Sequence, residues 1–183
     1  MTETLELVPA LTRPDLLAAR VAAALRGWAG ERGVEEVAVA EIDPDLADTA
    51  AFCERYGVAP DATANCVVVT GKRDGEVRYA ACVVLATTRA DVNGVARRHL
   101  DVRKASFAAT DVAVAETGME YGGITPVGLP VGWPVLLDPA VAECPQVVIG
   151  SGVRRSKLSL PGPALAGRPG VEVVAGLGRP VAG

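Results

Sequence analysis

The 183-residue chain is 50% hydrophobic but only 4% aromatic, which suits one domain with a core of Val, Leu and Ala and excludes a disordered or low-complexity chain. No apolar run is long enough to cross a membrane, and the start MTETLEL lacks the basic stretch of a secretory signal, so a cytoplasmic protein is expected. A formal net charge of −4 excludes a molecule whose overall field attracts nucleic acid; any RNA contact must be local.

Along the chain, residues 14–32 read as an amphipathic helix, with Pro14 in its first turn, Leu17, Val21, Leu25 and Trp28 on one face, and Gly33 as its stop. VEEVAVAEI then reads as a strand. Asp48 is placed to cap a short helix through Tyr56, with Gly57 as its C-terminal glycine. NCVVVTGK and VRYAACVVLAT are two β-rich runs joined by RDGE, and Asp74-Gly75 predicts a hairpin. Both runs are apolar on both faces, so the hairpin is expected to lie centrally under helices.

Two short helical stretches follow, about 91–100 and 111–117, the second capped by Thr110 or Asp111 and closed by Gly118. Past YGGITPVGLP, the expected elements are a strand at WPVLLD, a helical turn at DPAVAE, strands at QVVIGSG and SKLSL, a turn or short helix at PGPALAG, and a last strand at VEVVAG. Strands and short helices mix without strict alternation, which predicts an α/β (α+β-like) fold with a curved, barrel-like mixed sheet surrounded by short helices. One domain is expected over 1–183. Residues 1–47 form a helix-and-strand extension, 48–176 the main unit and 177–183 a loose tail.

The inventory for chemistry is short. His99 is the single histidine and lies in a basic helical stretch, where a solvated or capping role is the ordinary one. Cys53, Cys66, Cys82 and Cys144 have no CxxC spacing and read as buried free thiols. No zinc spacing, GxSxG elbow, Walker loop or GxGxxG appears; no metal and no cofactor is expected. That leaves the backbone. In YGGITPVGLP, Gly122 and Gly123 can direct two N–H groups at one oxygen, while Pro126 stiffens the exit and holds Thr125 extended. Spacing alone favours a tight turn carrying the chain into the next strand. GSG at 150–152, before Arg154 and Arg155, is a weaker anion candidate. The clusters Arg97, Arg98, Arg103, Lys104 and Arg154, Arg155, Lys157 are either solvated faces or local RNA contacts.

The order of motifs is informative: the hairpin, HLDVRKASFAATDVAVAETGMEYGGITPVG, VLLDPAVAE, then VVIGSGVRRSKLSL. In this order the chain resembles the YbaK family, the prolyl-tRNA synthetase-associated or aminoacyl-tRNA editing domain, from about residue 48 to 176. The resemblance implies hydrolysis of the ester that joins a wrong, small amino acid to tRNA, in trans. It implies Gly122, Gly123 and Asn65 at the reacting carbonyl, and Thr125, Pro126, Gly150 and Ser151 along the substrate. Arg103, Lys104, Arg154 and Arg155 are then the phosphate contacts. The partners implied are the tRNA acceptor end and, as a second candidate, an aminoacyl-tRNA synthetase; none is a membrane.

One position departs from the family. Many members carry a lysine early on the first hairpin strand, where this chain has Asn65. Lys72 lies on the same strand but faces the other way, roughly 23 Å along; Lys104 or Lys157 reaches the site only if the fold brings it there. Asn65 as a plain strand-entry residue, in a binding module for aminoacyl-tRNA, nucleotide or protein without turnover, is the alternative.

Overall fold

The computed structural model describes residues 2–28 and 33–181. Its strands are β1 (Val8–Pro9), β2 (Ala38–Glu41), β3 (Ala64–Arg73), β4 (Glu76–Leu85), β5 (Thr88–Ala90), β6 (Ala105–Phe107), β7 (Val135–Leu137), β8 (Val147–Gly150), β9 (Ser156–Leu160), β10 (Val171–Val173) and β11 (Gly178–Pro180). The helices are α1 (Ala19–Gly27), α2 (Thr49–Tyr56), α3 (Arg97–Leu100) continuing a π turn from Val92 to Ala96, α4 (Thr110–Thr117), α5 (Pro139–Ala142) and α6 (Gly162–Ala166).

Strand β4 lies in the middle of a mixed sheet ordered β10-β7-β4-β3-β6, with β4–β7 and β7–β10 parallel. An antiparallel sheet, β1-β2-β9-β8, stands beside it, and β5 pairs with β11 in a two-stranded ladder. Among the described residues no sheet closes on itself, so the architecture is mixed α/β with several sheets rather than a barrel. A single parallel bridge, Thr63 to Val148, joins the start of β3 to β8. Beyond it the two large sheets part.

The hairpin turns through Asp74 and Gly75 at φ 51° and 83°, the left-handed pair that a two-residue loop requires. Both faces of β3 and β4 are covered, one by the π turn and α3, the other by α1 together with the first sheet. Val69, Cys82 and Val84 pack against Val92, Val95, Leu100 and Leu177. Ala81 and Val83 face the first sheet and α1 through Ile149, Leu158 and Val21.

Helix α2 forms as its sequence requires: Asp48 accepts from the Ala50 and Ala51 amides, and Gly57 ends the helix at φ 64°. The first helix differs from the sequence reading. Pro14–Leu16 is a 3-10 turn, Leu17 and Ala18 are extended, and α1 begins only at Ala19. The cause is tertiary: the Ala18 amide donates to Ser151 O at 3.2 Å, which holds the chain straight there. The last four residues of the expected helix lie outside the described residues. The 177–183 segment, read as loose, carries buried Leu177 and the β11 pairing as far as Pro180. Residues 1–47 supply β1, β2 and α1 to the first sheet and its core.

Candidate active site

Where the two sheets part, β3 is left with a bare edge. Its partner β6 reaches only Val69 to Gly71, so residues 64–67 have no strand partner on that side. Thr63 accepts from Ala86 on the β4 side and Val68 accepts from Ala108 on the other; strict alternation then turns the Cys66 N–H and C=O outward, off that edge. A cleft of about 430 Å³ occupies the gap. Its walls are the β3 edge (Asn65, Cys66, Val67), the start of α2 (Asp48, Thr49), the glycine loop (Tyr121, Gly122, Ile124), Gly150 and Lys157 from the first sheet, and Arg154 from the β8–β9 turn.

The glycine loop is held from behind. Glu120 N donates to Gly152 O at 2.9 Å, and Gly152 N to Gly123 O at 2.7 Å. A Cβ on Gly123 would lie 2.7 Å from the Val153 backbone, and one on Gly150 would lie 2.5 Å from Gly123 O. Two backbones therefore touch there, which explains why the sequence is glycine-dense on both sides. Gly122 sits at φ 82°. Its N–H has no partner among the described residues, whereas the Gly123 N–H is used in a turn to Glu120 O at 2.9 Å. The expected pair of N–H donors is therefore one donor, Gly122; Gly123 sets the loop's position.

Arg154 is the strut of this wall. Its amide donates to Glu120 Oε2 at 2.8 Å, Nη1 to Tyr121 O at 3.1 Å and Nη2 to Pro44 O at 3.0 Å. On the opposite wall the Thr49 hydroxyl donates to Asn65 Oδ1 at 2.6 Å. That contact turns the amide so that Nδ2, unpartnered among the described residues, remains as a donor.

Lys157 stands between them; the sequence placed it in a basic cluster and left open whether the fold brings it to the site, and the fold does. It lies on β9 opposite Gly150 and Ala40. Leu158 and Leu160 face the main core, so alternation puts Lys157 on the other face, toward α2. The side chain is 7% exposed. Nζ donates to Ala47 O at 3.1 Å and lies 5.3 Å from the Phe52 ring centroid. Burial pushes its ammonium below the usual lysine range; Cys53 and Asp48 pull it back up, and Arg154 adds to the lowering. One signal was available: a lysine in SKLSL, a strand otherwise made for the interior.

The remaining candidates lie elsewhere. Ser151 is fully buried, and its hydroxyl is bound to Ser156 Oγ at 2.7 Å. Thr125 is fully buried behind the loop, and its Oγ1 is unpartnered among the described residues. Pro126 faces a different cavity, beside Trp28 and Trp133. Arg155 reaches Asp15 O on the far side. Arg103 and Lys104 precede β6, whose partner on β3 is Gly71, so they sit roughly 20 Å along the strand from Asn65.

His99 is bound to Val95 O at 3.1 Å and lies near Glu172, away from the cleft. Burial pushes the Cys66 thiol up and the Cys82 thiol to about 12, so neither is a thiolate at neutral pH. No group of side chains with metal-ligand geometry occurs among the described residues. The cleft is thus lined by residues with spare hydrogen-bond donors, the Gly122 N–H, Asn65 Nδ2 and Lys157 Nζ, and no activated side-chain nucleophile is found among the described residues. Such a set stabilises negative charge that develops on a substrate oxygen.

The family model of the aminoacyl-tRNA editing domain matches residues 43–167, more than half of the chain. No curated protein matches it. Among solved structures, one of a protein proposed as a trans-editing enzyme for prolyl tRNA synthetase superposes with a TM-score of 0.71 at 23% identity, over 86% of this chain and 94% of that one. A scaffold used for epitope backbone grafting gives a TM-score of 0.71 at 23% identity, over 86% and 95%. A hypothetical protein gives 0.63 at 21%, over 77% and 90%. These likenesses carry the fold. No helix among the described residues is long and apolar enough to cross a membrane.

Proposed function

The chain belongs to the aminoacyl-tRNA editing domain family, and we propose that it is a deacylase that frees tRNA from a wrongly attached small amino acid, working in trans. The observation that carries this reading is the buried ammonium of Lys157 in the same cleft as Asn65 and the Gly122 N–H. It answers the difficulty raised by Asn65. The cation that many relatives place on the first hairpin strand enters here from β9.

An aminoacyl ester is already activated, so positioning and charge stabilisation suffice. Water adds to the ester carbon, and the carbonyl oxygen becomes an oxyanion held by Gly122 N–H and the ammonium. Asn65 Nδ2, fixed by Thr49, orients the ester. The carbon–oxygen bond to the ribose then breaks. One proton from the water ends on the ribose oxygen, the other passes to solvent, and the amino acid leaves as a carboxylate. A cleft of about 430 Å³, shared with the ribose, favours small side chains and rejects large ones by clash.

The test is the lifetime of the ester on tRNAs charged with Cys, Ala, Ser, Thr and Pro. Faster loss from one or two of them is the expected result and names the substrate. Unchanged lifetimes across the panel with saturable tRNA binding would leave the binding-module reading in its place.

A further inference from the structure

Asn65 borders more than the cleft. It also lines a groove of about 660 Å³ on the other side of β3, with Val67, Arg89, Asn93, Phe107 and Arg179 among its walls. This volume lies within the range that holds small ligands. Val67 is shared by the cleft and the groove as well, so the two are continuous around the bare end of the β3 edge.

Two features of the groove have no use within the protein. Phe107, the last residue of β6, is 61% exposed although its neighbours on that side of the sheet form a core. The Arg89 side chain makes no hydrogen bond or ion pair among the described residues, its backbone being paired with β11. The other two charges are spent on each other: Arg179 Nη2 lies 2.7 Å from Asp91 Oδ2. The groove therefore presents one uncompensated cation and one open aromatic face. A third cavity that meets Asn65, on the α2 side, has Asp48 and Glu54 in its wall and no lysine or arginine. Charge thus distinguishes the two approaches to Asn65: the α2 side repels phosphate, and the β5–β6 side accepts it.

Resting on the deacylase reading, we propose that the groove between β5 and β6 seats the 3′-terminal nucleoside of the RNA, its base stacked on Phe107 and the preceding phosphate held by Arg89. The ester then lies at Asn65, with the RNA toward Arg89 and the amino group toward Asp48. None of Arg103, Lys104, Arg154 and Arg155 lines this groove.

The test uses the full chain and a fluorescein-labelled, uncharged acceptor-stem minihelix ending in CCA, followed by anisotropy. Phe107→Ala is expected to weaken binding about tenfold, within the range for removing one stacked base. Phe107 is exposed, so truncation leaves the core intact. Arg89→Ala weakens binding and flattens its salt dependence, while Arg155→Ala changes nothing. On a minihelix lacking the terminal adenosine, Phe107→Ala should have no further effect. Equal binding by wild type and Phe107→Ala, or an equal loss on both RNAs, overturns the inference. If wild type deacylates a charged tRNA and Phe107→Ala leaves its KM unchanged, this inference falls alone. If wild type neither deacylates nor binds RNA, the deacylase reading falls with it.

Discussion

Lys157 concentrates the chemistry of the cleft in one titrating group. Lys157→Met is expected to slow deacylation about a hundredfold, the usual cost of losing one donor to a developing oxyanion, measured in single turnover. The pH dependence has a definite sign. The folded-state pKa lies below the ordinary lysine value, burial being the main cause. Between that lowered value and about 10.4 the unfolded chain holds more protons, so stability rises with pH across the window. On the proposed mechanism the rate runs the other way, because there the ammonium is the stabilising form. Wild-type activity should fall as pH passes the lowered pKa, before free lysine would titrate. The Lys157→Met variant should lack both trends in pH scans of melting and rate; a variant that keeps the alkaline fall in rate would remove Lys157 from the reaction. Sequence showed the gap left by Asn65 but not what fills it, because alternation in SKLSL separates two faces without saying that α2 covers the second.

At the scale of elements, local signals were reliable where the cause is local. Asp48 and Gly57 bound α2, and Asp74-Gly75 turns the β3–β4 hairpin, since caps and two-residue turns are decided within a few residues. Strands β5, β6 and β11, three residues each, exist only through their partners and carry no period of their own. The start of α1 was misplaced because Ser151 holds Ala18 from across the chain. The glycine loop combines both cases. Its glycines marked it as special, but which N–H is free depends on the packing of Val153 and Glu120. Gly123→Val forces the loop away from Val153 and carries Gly122 with it, and a displacement of about 1 Å costs on the order of a hundredfold in rate. Full activity in that variant, with its circular dichroism unchanged, would show that loop placement does not matter.

For the whole molecule, a net charge of −4 limits how RNA is held. If Arg89 alone makes the phosphate contact, about one phosphate is neutralised, and log K should fall with log salt at a slope of about −1. A slope near −4 would mean that the outlying Arg97, Arg98, Arg103 and Lys104 engage the RNA after all. Titrating the CCA-ended minihelix at several salt concentrations distinguishes the two.

The contacts that close the cleft also span the chain. Arg154 to Pro44 and Lys157 to Ala47 each join residues 110 positions apart, and Ser156 reaches Leu16 across 140. During synthesis β2 therefore waits for β9, exposing an unpaired edge until most of the protein has left the ribosome. Contacts this distant are slow to form. A nascent chain can complete α2 and the hairpin early and still have no cleft. The cleft and the finished fold arrive together, so on the deacylase reading a partly made or partly unfolded copy would have no site with which to strip amino acids from tRNA.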